Sequence, residues 1–221
     1  MWGGIAWKSS LVGIDTVIVA GSAIAAVAYL LRFRAQPPSR RRMVVKTAAA
    51  AGLALATLVN GGPVTLFFFY ASAAIGDAAL AREDEDGMTM AMAAHLLSQI
   101  FLCMILWSHW VRMDAPIIAA LGLIGIWIGY FMLLWGAMRR KRLLMASYSL
   151  GTLVAVYLSL GTLTWGQLAV VGMLTYGLSQ LMLAAEIFAT RPGSMEAWLA
   201  SQVIWISYYS ALLMFFVAFA A

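Results

Sequence analysis

The sequence predicts an all-α fold: a polytopic membrane helix bundle of eight transmembrane helices, with both termini outward, forming a single transmembrane domain over residues 1–221. Three observations predict it. Hydrophobic residues make up 64% of the chain and charged residues only 10%, whereas a soluble domain carries about 25% charge. Apolar runs near the ~18 residues that a spanning helix needs recur along nearly the whole chain. Basic residues gather in alternate connections, as expected of a protein with one fixed orientation in a bilayer. The alternating strands of about ten residues that mark an outer-membrane barrel are absent.

The elements follow in order. The first apolar run is too long for a secretory signal, contains Asp15, and continues past the cleavage-like Ala26-Val27-Ala28. It is therefore read as helix 1, Leu11 to Leu31. The loop Arg32 to Arg42 is broken by Pro37-Pro38 and anchored by Arg40, Arg41 and Arg42. Helix 2 covers Met43 to Val59, and Asn60-Gly61-Gly62-Pro63 makes a tight turn. Helix 3 covers Val64 to Ala81, and an acidic loop runs from Arg82 to Gly87. Helix 4 covers Met88 to Val111, closed by Arg112 to Pro116. Helix 5 covers Ile117 to Met138, and Arg139, Arg140, Lys141 and Arg142 form a second basic anchor. Helix 6 covers Leu143 to Leu160, followed by a short turn from Gly161 to Gly166. Helix 7 covers Gln167 to Thr190, and Arg191-Pro192-Gly193-Ser194 breaks it. Helix 8 runs from Glu196 to the end of the sequence.

Eight spans put the connections 1–2, 3–4, 5–6 and 7–8 on one side. That side and its helix ends hold twelve of the fourteen basic residues; Lys8 and Arg112 are the other two. The positive side is expected to be cytoplasmic, so the protein is expected in the cell inner membrane as a multi-pass protein. Short connections predict that sequential helices pack as antiparallel neighbours. Gly125 and Gly129 form a small-xxx-small pair on helix 5. The alanine-rich stretch Thr47 to Ala56 makes helix 2 thin enough for close approach. Trp2, Trp107, Trp110 and Trp165 lie near span ends and read as interface anchors. The net charge of +5 sits in short loops, where it reports topology, so no nucleic acid partner is expected. The single cysteine, Cys103, excludes an internal disulfide and reads as a packing residue.

Chemistry concentrates in the stretch from Ile75 to His95. Ionisable groups inside a span are costly and are site candidates by default. Asp77 lies about one turn inside the end of helix 3, and His95 about two turns inside the start of helix 4. Lys46 and Glu186 lie at a similar depth in helices 2 and 7. Tyr148, Ser179, Gln180, Tyr208 and Tyr209 sit at that level or a few turns deeper. The expectation is a cavity open toward the cytoplasm, with Asp77, Glu186 and His95 as catalytic candidates. Lys46, Tyr148, Ser179, Gln180, Tyr208 and Tyr209 are the substrate-binding candidates. Each has a plainer alternative. Asp77 and Lys46 could only hold helices 2 and 3 together, Glu186 could only reach the interface, and His95 could only be a hydrogen-bonded packing residue. Asp15 is read as a structural residue of the outer side, and Glu83, Asp84, Glu85 and Asp86 as solvated loop charges. His95 and His109 are about 21 Å apart along one helix and cannot share an ion. Catalytic zinc takes three protein ligands, so no metal and no cofactor is expected. Metal-free acid–base work in a lipid-accessible pocket remains.

Five segments carry a family resemblance. Val44-Val45-Lys46 opens helix 2, with Thr47 where a proline is usual. The others are Ile75-Gly76-Asp77-Ala78-Ala79-Leu80, Gly87 through His95, Leu178-Ser179-Gln180-Leu181-Met182-Leu183-Ala184, and Ile206-Ser207-Tyr208-Tyr209-Ser210-Ala211. In their order and spacing the chain resembles the lysoplasmalogenase family, the YhhN-like integral membrane proteins, from residue ~40 to its end. The resemblance implies hydrolysis of the vinyl-ether bond of a lysophospholipid, giving a fatty aldehyde and a glycerophospho-head group. It implies Lys46, with Arg82 at the mouth, against the phosphate, and Tyr208 and Tyr209 lining the pocket. Gln180 stands where the family's second aspartate is expected. Three alternatives follow: Glu186 supplies the second carboxyl, Asp77 works with His95, or this member has lost or changed the activity. The competing reading is a non-catalytic lipid-binding or small-solute transport protein on the same scaffold.

Overall fold

The computed structural model describes residues 13–111, 116–138, 142–163, 166–191 and 193–220. All regular structure among them is helical. The helices are α1 (Ile14–Ala28), α2 (Arg40–Val59), α3 (Val64–Leu80), α4 (Glu85–Ser108), α5 (Pro116–Met138), α6 (Arg142–Leu160), α7 (Gln167–Ala189) and α8 (Met195–Phe219). Seven are long and apolar enough to cross a membrane; α3, with 17 residues, is apolar but shorter. The chain is a polytopic helical membrane protein. Lys8, Arg112, Arg139, Arg140, Lys141, Trp2 and Trp165 lie outside the described residues.

Local chemistry sets the helix ends. Ser39 caps α2 by accepting the Arg42 N–H at 3.2 Å, so the helix starts at Arg40 and absorbs the arginines expected in the loop. Asp84 caps α4 by accepting the Gly87 N–H at 2.5 Å, which moves its start back from Met88 to Glu85. Ser194 caps α8 through the Ala197 N–H at 3.2 Å. Gly61, at φ 69°, makes the turn between α2 and α3 in a region that glycine enters without steric penalty.

One element has no counterpart in the sequence reading. Below Ala28, α1 widens into a π-helical turn over Tyr29–Phe33. Its mark is the Arg34 N–H bonding to the Tyr29 carbonyl at 2.8 Å, one position further than in an α-helix. Arg34 therefore stands above Tyr29, where Phe33 would otherwise be.

Sequential helices pack on one another through most of the chain, but α4 packs mainly on α3 and α6, and α5 sits outside α6 and α7. The thin helix α2 behaves as expected. Ala49, Ala50, Ala54 and Ala56 are buried, and a Cβ at Gly52 would meet the Ser22 Cβ at 2.8 Å. The glycine pair on α5 does not: among the described residues, nothing lies within 4 Å of a Cβ at Gly125 or Gly129. Their spacing permits close packing but cannot create a neighbour. A fully buried aromatic cluster of Tyr29, Phe69, Tyr70, Tyr176 and Phe215, with Trp205 beside it, joins α1, α3, α7 and α8. Burial of this kind fixes the floor on which the polar groups stand.

Candidate active site

A cavity of about 250 Å³ opens at the end of the bundle that carries the 1–2, 3–4 and 7–8 connections. Among the sequence candidates, Lys46, Asp77, His95, Tyr148, Ser179, Gln180, Glu186 and Tyr208 all line it. They arrive from α2, α3, α4, α6, α7 and α8, so no local segment could form the site alone.

Asp77 is its most enclosed charge. The carboxylate is 3% exposed; Oδ1 lies 3.6 Å from Lys46 Nζ, itself 6% exposed. Oδ2 accepts the Tyr208 hydroxyl at 2.9 Å. An isolated carboxylate at this depth would be very costly, and the ammonium and the phenol together offset that cost. Lys46 Nζ also sits 5.8 Å from the Tyr29 ring centre, within cation–π range. Asp77 thus has the Lys46 partner that a purely structural carboxylate would have, and also faces open space.

His95 also lines the cavity, beside Tyr208. It is 6% exposed, its Nδ1 has no hydrogen-bond partner, and its ring meets Tyr208 edge-on at 6.0 Å. The histidine is therefore not the hydrogen-bonded packing residue that the sequence allowed. Its ring lies against Gly76: a Cβ there would come 2.6 Å from both Cδ2 and Nε2. The glycine before Asp77 is what lets α3 and α4 close over the imidazole.

Gln180 accepts the Tyr148 hydroxyl, and Ser179 donates to the Ile204 carbonyl at 3.2 Å. Glu186 reaches the cavity and pairs with Arg34 at 3.5 Å. It is not simply extended to the interface, because the π-helical turn of α1 delivers a guanidinium to it.

Three expectations need correction. Tyr209 does not line the cavity; its hydroxyl shares a 2.8 Å hydrogen bond with Ser22 Oγ on α1. Consecutive residues project about 100° apart on a helix, and on α8 that rotation carries Tyr209 from the cavity toward Ser22 on α1. Arg82 does not line the cavity; it is exposed and paired at 2.9 Å with Asp84, which does. Glu83 is not merely solvated: it pairs with Arg42, lines the mouth, and holds a left-handed φ of 58°. Asp84 is the α4 cap, and the Gly87 N–H holds its carboxyl below the usual range, with help from Arg82.

Sequence reasoning missed Arg34 and Arg42 as cavity residues. Arg42 was findable, since it lies four positions before Lys46 and shares its helix face. Arg34 was not, because its aim depends on the widened turn. Among the described residues, no group of three or more His, Cys, Asp and Glu side chains could hold a metal ion.

The fold and the cavity define a class: a multi-pass helical membrane protein with a buried, charge-lined pocket opening at one end. The model of the YhhN family matches residues 41–219, and the chain belongs to that family. No curated protein matches the chain, and no solved structure does.

Proposed function

We propose that the protein is a membrane-embedded hydrolase that cleaves the vinyl-ether bond of a lysoplasmalogen to a fatty aldehyde and a glycerophospho-head group. One observation carries this reading: Asp77 is held by Lys46 and Tyr208 in a cavity that also contains Glu186 and His95.

The proton balance suits one carboxyl. Asp77, ionised in the free site, takes up a proton from water as substrate binds and gives it to the vinyl β-carbon, and the double-bond electrons form the new C–H bond. The resulting oxocarbenium ion lies beside an Asp77 carboxylate, which Lys46 and Tyr208 stabilise. Water adds to the cation and returns a proton to Asp77. The hemiacetal then collapses to aldehyde and alcohol, so only water is consumed. Glu186 is the second carboxyl of the cavity, and His95, with a free ring nitrogen, orients the attacking water. Lys46, Arg34 and Arg42 supply positive charge toward the phosphate, while Tyr148, Ser179 and Gln180 shape the wall. We assign the mouth to the cytoplasmic face of the inner membrane, since it shares its end with most of the basic residues.

The test is aldehyde release from lysoplasmalogen by the purified protein. Wild type should turn over, and Asp77→Asn should lose at least 100-fold, a typical contribution from general acid–base catalysis. Equal turnover by the variant would overturn the assignment. A non-catalytic lipid-binding protein is favoured instead by Gln180, whose amide is engaged by Tyr148. It predicts bound lysolipid and no product from any substrate.

A further inference from the structure

A second cavity of about 280 Å³ lies between α5, α6 and α7. Its character is opposite to the first. Leu123, Phe131, Leu153, Leu174 and Leu181 are typical of its wall. Its few polar groups are already paired: Trp127 Nε1 donates to Ser149 Oγ at 2.8 Å, and the Tyr130 hydroxyl donates to the Leu181 carbonyl at 2.5 Å. Such a groove offers nothing to a polar solute.

The two cavities meet at Tyr148, which lines both. A small apolar gap of about 30 Å³ between Leu80, Met92, Met145 and Leu183 touches the same ring and His95. The polar pocket, the gap and the groove therefore adjoin one another at a single tyrosine. The groove follows α5 from Leu123 to Leu134 and α6 from Met145 to Val156, about 16 Å on each helix. One leaflet of the ~30 Å hydrocarbon core is about 15 Å deep. The Leu134 and Met145 end lies beside the polar cavity, and the other end, at Leu123 and Val156, lies past the midpoints of α5 and α6.

We propose that this groove holds the hydrocarbon chain of the lysophospholipid whose head group and ether bond occupy the Asp77 cavity, and that the chain reaches it sideways from the bilayer beneath α5. This proposal rests on the lysolipid reading above. The chain gains little by leaving one apolar medium for another. The groove instead sets register, deciding which bond of the lipid stops opposite Asp77, so chain length becomes a specificity variable.

Gly177 provides the probe. It lines the groove on α7, and a Cβ there would meet only Val156 Cγ2, at 3.6 Å. Gly177→Leu therefore enters the groove with ordinary van der Waals contact at Cβ and fills it from α7, and Leu153→Phe fills it from α6. A saturated 1-O-alkyl lysophospholipid with a terminal diazirine is photolysed with the protein in nanodiscs. This lipid cannot be hydrolysed, so labelling does not depend on turnover. Label is expected on the facing segments of α5, α6 and α7, competed by unlabelled lipid and reduced at least tenfold by Gly177→Leu and by Leu153→Phe. Gly177→Ala should fall between, and retained Tm confirms that the variants fold. Label spread evenly over outward faces such as those of α1 and α8, or groove label unchanged in both filled variants, would overturn the groove. With vinyl-ether substrates, the short-chain to long-chain ratio of kcat/KM should rise about tenfold in the filled variants, and an unchanged ratio would also overturn it. Labelling of the groove without turnover of any substrate would reject the hydrolase reading and keep the groove.

Discussion

The Tyr208 hydroxyl donates to Asp77 Oδ2 at 2.9 Å, across 131 positions of sequence. The last helix thus completes the site that the third helix begins. A hydrogen bond to a charged group is worth about 1.5–3 kcal/mol. Tyr208→Phe keeps the ring and removes only the donor, so kcat for aldehyde release should fall about 10- to 100-fold with KM nearly unchanged. A fall confined to KM would assign Tyr208 to binding instead.

Lys46 and Asp77 separate stability from chemistry. Removing one member of a buried pair strands the other charge, at about 3–5 kcal/mol. Lys46→Met should lower Tm sharply, and adding Asp77→Asn should recover much of that loss. Turnover should not recover with it. Thermal unfolding and aldehyde release, measured on the same three variants, check both halves.

Gly76→Ala deletes no functional group, yet its methyl would press on the His95 ring. Overpacking of this kind costs about 1–3 kcal/mol. The ring is expected to shift toward the small gap beside Met145, lowering both Tm and turnover. Gly76→Ala combined with His95→Ala should regain the stability, as a double-mutant cycle would register. Additive losses would mean that the two residues act separately.

Asp84 gives a pH prediction of definite sign. Its folded pKa lies below the ordinary value of 3.8, chiefly because the Gly87 N–H bonds to it. Its contribution is complete above that value and is lost as pH falls through the depressed folded value. Protection of the first-turn amides of α4, taken relative to their unstructured exchange rates at each pH, should fall on acidification below about pH 4. Asp84→Asn, which retains a capping oxygen, should abolish that pH dependence.

Hydrophobic runs and basic loops were enough to read eight helices, because bilayer thickness and charge bias act locally along the chain. Asp77, His95 and Lys46 were legible for the same reason, as charges where charges are costly. What escaped depended on rotation about helix axes. Tyr209 is one residue from Tyr208 and turns to Ser22 instead. Gly125 and Gly129 carry a packing spacing but face no neighbour among the described residues. Arg34 was invisible, since no composition cue announces a widened turn.

That turn works as a phase shifter between two stretches of one helix. Above it, Ser22 and Ala26 point inward on ordinary helical spacing; below it, Arg34 is brought over Tyr29 to meet Glu186. Removing Leu31, which is 79% exposed and touches little, would let the ladder revert to regular winding. The guanidinium would still follow Tyr29, now in the slot Phe33 occupies by count, four positions on. Such a deletion in a lipid-facing spot should therefore be tolerated, whereas a single insertion should swing the same charge by about 100° and leave Glu186 without its cation.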